Sequence, residues 1–215
     1  MRIYRRFAAL VVALGAFALG GAGTATAVDI PQGGGANNIV LVSTTGQDMM
    51  LARASTQISL IAGPTVGNTN IASASATDCT GCHSTAVAVQ TVFVVGSPQY
   101  YVPGNAAVAS NGACSFCVSF AYAWQYLLQV SGPVHLTPAG QAEIQTLRQQ
   151  IDDAASTVIN SKDDATALCN RLNDLTSQLK SVVDGELVAS GVLATGTPNE
   201  HVDVSNGDVN GQICP

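Results

Sequence analysis

The feature that most constrains this chain is an internal repeat. A shift of 35 residues lays NIASASATDCTGCHSTAVAVQ (70–90) over NAAVASNGACSFCVSFAYAWQ (105–125), with ten identities in 21 positions and no gap. The identities include Asn70 with Asn105, both cysteines of each C-x-x-C, and Gln90 with Gln125. A shift of 33 gives a weaker third copy, 37–57, in which Asn37 and Gln57 keep their places while Gly46 and Met49 replace the cysteines. A period of this size implies one supersecondary unit used three times.

Within each unit, apolar and polar residues alternate on both sides of a short polar break, the pattern of two strands joined by a turn. Ser84, Ala86, Ala88 and Gln90 share one face, and Val87, Val89 and Phe93 the other. The next unit sets Ser119, Ala121, Ala123 and Gln125 against Phe120, Tyr122, Trp124 and Tyr126. Small residues let another layer come close, and large ones build a core. The expectation is an α+β fold: an antiparallel sheet of three repeated hairpins, about six strands, followed by an antiparallel helical hairpin.

If Cys79 and Cys82 flank a turn, their Cα atoms lie within about 7 Å, inside the reach of a disulfide. Bridges Cys79–Cys82 and Cys114–Cys117 are thus sterically allowed, and cross-bridging between neighbouring units is the other pattern. The same residues admit sharper chemistry. C-x-x-C-H at 79–83 has the spacing of c-type haem attachment, with His83 as proximal ligand, although Val118 replaces the histidine in the second copy. Cys79, Cys82, Cys114 and Cys117 together could also hold a structural zinc ion through four thiolates. A redox pair needs a helix N-terminus or a cation to lower its thiol pKa, and the sequence offers neither there. Nothing places His135 or His201 beside a cysteine nucleophile, so no catalytic set is identified.

The N-terminus decides the redox setting. Arg2, Arg5 and Arg6, an apolar run and Ala25-Thr26-Ala27 form a Sec-type signal peptide, 1–27, with cleavage after Ala27. The mature 188 residues carry five basic and 14 acidic groups, a formal charge of −9, which disfavours nucleic acid as a partner. Six cysteines in an exported chain point to disulfides. From Cys79 to Leu136 no residue is formally charged, so self-association or an exported protein partner is expected, with the protein secreted or at the cell surface.

The β-repeat region is assigned to 28–132, a helical hairpin to 133–184 and an irregular tail to 185–215. Thr137 before Pro138 predicts an N-cap, and Ile144, Leu147, Ile151, Ala154 and Val158 form the first apolar stripe. Ser161 and Asp164 resemble a capping box ahead of a second stripe through Leu168, Leu172, Leu175 and Leu179. Cys169 and Cys214 are expected to pair, pinning the tail to the second helix.

An N-x-A-x-A strand, a C-x-x-C turn, an alternating strand ending near Gln, a second such unit and then GPVHLTPAG opening the helices resemble an uncharacterised domain of exported actinobacterial proteins. Some of these are named peptide zinc metalloproteases. The resemblance covers roughly 37–183 and implies export and architecture. It implies no protease activity, because this chain has no H-E-x-x-H.

Overall fold

The computed structural model describes residues 26–29, 36–132, 134–189 and 199–208. The first seven strands are β1 (Thr26–Asp29), β2 (Asn38–Gln47), β3 (Met50–Ala62), β4 (Thr65–Thr80), β5 (His83–Val95), β6 (Tyr100–Gly112) and β7 (Val118–Val130). Then come β8 (Val134–Leu136), α1 (Pro138–Ala155), α2 (Lys162–Glu186), β9 (Leu187–Ala189) and β10 (Asn199–Asp208).

The expected antiparallel sheet of hairpins is not what forms. The two arms of each unit enter different sheets, and each arm pairs in parallel with the same arm of the next unit. Sheet A has the order β1-β2-β4-β6 and sheet B the order β10-β7-β5-β3. The pairs β2/β4, β4/β6, β3/β5 and β5/β7 are all parallel, and within these two sheets only β1 and β10 run antiparallel to their neighbours. Each unit is one coil of a β-solenoid, and its polar break is an arc between layers. The physical reason lies in the inward-facing amides. In-register stacking places Asn70 beside Asn105 and Gln90 beside Gln125, so like side chains bond along the stack. Arms of one unit meet across the layer, where Asn68 Nδ2 donates to Gln90 Oε1 at 3.2 Å.

Burial follows from the layering. Sheet A has one face in the interior, so β4 alternates between buried and partly exposed positions. Sheet B is covered on both faces, and β5 and β7 are buried almost end to end, as expected of enclosed parallel strands. Ala86, Ala88, Ala121 and Ala123 face Val40, Val42, Ala72 and Ala74 of sheet A, so the small-residue face does admit a close layer. The large face, with Val87, Val89, Phe120, Tyr122, Trp124 and Tyr126, packs against the two helices.

Both helix starts match the sequence expectation. Thr137 accepts from the Gly140 N–H, and Ser161 and Asp164 form a reciprocal capping box. The first stripe ends earlier than expected: Val158 lies beyond α1 and is exposed, while Ile159 is buried in its stead. The segment assigned to an irregular tail carries two strands, β9 against β8 and β10 against β7. Among the described residues no helix is long and apolar enough to cross a membrane.

Candidate functional site

The sulfur-bearing arcs are the most chemically distinctive part of the molecule. Each arc needs left-handed backbone at matched positions. Asp48, Gly81 and Phe116 have φ of 51°, 70° and 58°, and Asp78 and Ala113 have φ of 51° and 48°. Asp78 is also the extra residue that shifts the β2/β4 register between Thr45 and Gly46, so Asn38 stacks on Asn70 where a gapless alignment would put Asn37. The arcs are sewn together through backbone bonds: Asp48 N–H to Thr80 O, Gly81 N–H to Ser115 O, and Val118 N–H to Cys82 O, all at 2.9 Å.

Both expected turn disulfides are present. Cys79–Cys82 spans a Cα separation of 6.2 Å and Cys114–Cys117 one of 5.9 Å. Because the arcs stack, the bridges touch: Cys79 Sγ lies 3.1 Å from Cys114 Sγ and 3.5 Å from Cys117 Sγ. Cys82 is fully buried and Cys79 nearly so, and Met49 of the first arc packs against the group. Cys169 is disulfide-bonded; its expected partner, Cys214, lies outside the described residues.

These surroundings discriminate among the candidate chemistries. Tetrahedral zinc with Zn–S near 2.3 Å puts thiolates about 3.8 Å apart, and the sulfurs of Cys79, Cys82 and Cys117 all lie within 4.8 Å of one another, a set that Cys114 does not join. Against thiolate, the polar neighbours of the sulfurs are carbonyls: Cys82 Sγ is 3.7 Å from Gly46 O, and Cys117 Sγ is 3.4 Å from Ser115 O. Haem fits poorly, because thioether formation needs an open face at Cys82, which is sealed. His83 is held by the helical hairpin through an Nδ1–H bond to Ile159 O at 2.8 Å, which fixes its tautomer. No charged side chain occurs between Cys79 and Leu136 to activate a thiol.

Sequence reasoning missed the amide ladders inside the stack, although the repeated Asn and Gln are their signal. Asn38 Nδ2 donates to Asn70 Oδ1 at 2.9 Å and Asn70 Nδ2 to Asn105 Oδ1 at 2.8 Å. Gln125 Nε2 donates to Gln90 Oε1 at 2.8 Å. Such ladders lock register in stacked parallel strands. Comparison with protein-family models, curated proteins and solved structures finds no match to this chain.

Proposed function

We propose that this chain is an exported, non-enzymatic structural or interaction module, a disulfide-stapled two-layer stack that acts by associating with another exported protein or with itself. The observation that carries this reading is the pair of 13-residue edge strands, β3 and β6. Neither contains a fully buried residue, and only Arg53 among their residues carries charge. Soluble proteins usually blunt such edges with charge or proline; with one charge, Arg53, on β3 and one proline, Pro103, on β6, these long edges read as an interaction surface. The cysteines serve as staples at the arcs. The test is a disulfide-exchange assay with the purified exported protein: no turnover is expected, and turnover lost in Cys79→Ala would overturn the reading.

A second reading, a structural zinc site in Cys79, Cys82, Cys114 and Cys117, is favoured by one observation, the convergence of three of the four sulfurs, those of Cys79, Cys82 and Cys117, across two coils. It requires both bridges to be reduced, which suits export less well.

A further inference from the structure

Resting on the association reading above, we propose that the partner is a second copy, joined head to tail along the stacking direction, so that the two solenoid layers continue from one molecule into the next. Each end of the stack is stepped. At the first-coil end β1 covers β2 in sheet A, while β3 is left as the edge of sheet B. At the third-coil end β10 covers β7 in sheet B, while β6 is left as the edge of sheet A. The two steps are complementary: the strand that projects at one end stands in the layer that is recessed at the other.

Translating one copy along the stack sets β1 of the next molecule against β6 and its β3 against β10. Strand directions agree. β1 is antiparallel to β2, and β10 to β7, so both new pairs are antiparallel when the copies share one orientation. Both sheets are four strands deep, so the layers advance equally; the β3/β10 pair is the longer contact, since β1 spans four residues against the 13 of β6. The advance is roughly 19 Å per copy at about 4.8 Å per strand. A twofold pairing of β6 with β6 is disfavoured, because β10 projects beyond β6 and two copies of it would contend for one space. A translational contact of this kind does not close on itself and yields chains.

Tyr100, Val102 and Val108 stand on the outer face of edge strand β6, alternating with the inward-packed Ala107 and Ala109. Phe116 is exposed on the third-coil arc and Met50 and Leu60 on β3, so an added strand would gain apolar cross-strand neighbours at either end. The expected export cleavage after Ala27 would leave Val28 and Asp29 of β1 to fill the step opposite β6.

The experiment is sedimentation velocity of the exported protein across a hundredfold concentration range, with two double variants. Val102→Lys with Val108→Lys charges the third-coil end, and Met50→Lys with Leu60→Lys charges β3. The wild type is expected to grow past the dimer as concentration rises. Each variant alone should remain a monomer, and a mixture of the two should give a dimer and nothing larger, since each keeps one intact end. A wild type that stays monomeric, or stops at a dimer, overturns the proposal whatever the variants do. Monomer without disulfide-exchange turnover would remove self-assembly alone, whereas turnover that needs Cys79 would remove the structural reading beneath it.

Discussion

Asn70 and Asn105, 35 residues apart in sequence, are hydrogen-bonded neighbours inside the stack, with Asn70 Nδ2 donating to Asn105 Oδ1 at 2.8 Å. The same amide nitrogen also faces Ala88 O at 3.1 Å and Trp124 O at 3.0 Å, so one buried side chain joins both layers and two coils. Asn70→Ala should destabilise by about 2 kcal/mol, the cost of leaving buried acceptors without their donor. Asn70→Asp should cost more, because it turns a carboxylate toward those carbonyls. Denaturant midpoints of the two variants check the order.

Left-handed positions in the arcs give opposite outcomes by residue type. Phe116 is 88% exposed at a φ of 58°. Phe116→Gly relieves that conformation and should raise stability by about 0.5–1 kcal/mol. Gly81→Ala should lower it by about 1–3 kcal/mol, since a Cβ there would sit 2.5 Å from Asp48 Oδ1 as well as at positive φ. Thermal melts of both variants test the sign.

Tyr122 supplies an alkaline limit. Its hydroxyl donates to Asn173 Oδ1 at 2.9 Å, and burial raises its pKa from 10.0 to about 12 despite the side-chain bond with Thr176. The unfolded phenol ionises first. The neutral folded form therefore holds its full advantage below pH 10 and loses it as pH rises from 10 to about 12. The loss at the upper end should be on the order of 2–3 kcal/mol. Tyr122→Phe should flatten that part of the stability profile, measured by denaturation at a series of alkaline pH values.

Much of the molecule was legible in the residues. The 35-residue offset is the stacking register, from Asn70 on Asn105 to Gln90 on Gln125. Both helix caps follow from short-range chemistry at Thr137 and Ser161, which operates within one turn. Pairing direction was not legible, because alternation reports which face a side chain takes and says nothing about the neighbouring strand. The ladder position of Asn38 was hidden by the bulge at Asp78. Strands β9 and β10 were missed because they are short or edge-bound and take their order from partners earlier in the chain. The cysteine turns were read correctly as bridgeable, but their contact across coils needed the parallel stack.

The arc disulfides close very short loops, so each should stabilise modestly. With four residues in the loop, loss of Cys114–Cys117 in a double alanine variant should cost about 2 kcal/mol by the chain-entropy argument, read from the urea midpoint. Cys79–Cys82 should cost more than that when removed, because Cys82 is fully buried and its loss leaves a void.

The most direct test of the cysteines as staples is the intact mass of the purified protein, taken native and denatured, before and after reduction. The account predicts a gain of six hydrogens on reduction, for three bridges, and no difference between native and denatured mass. A zinc ion released only on denaturation, with Cys79, Cys82, Cys114 and Cys117 already reduced, or a haem adduct on Cys79 and Cys82, would contradict it.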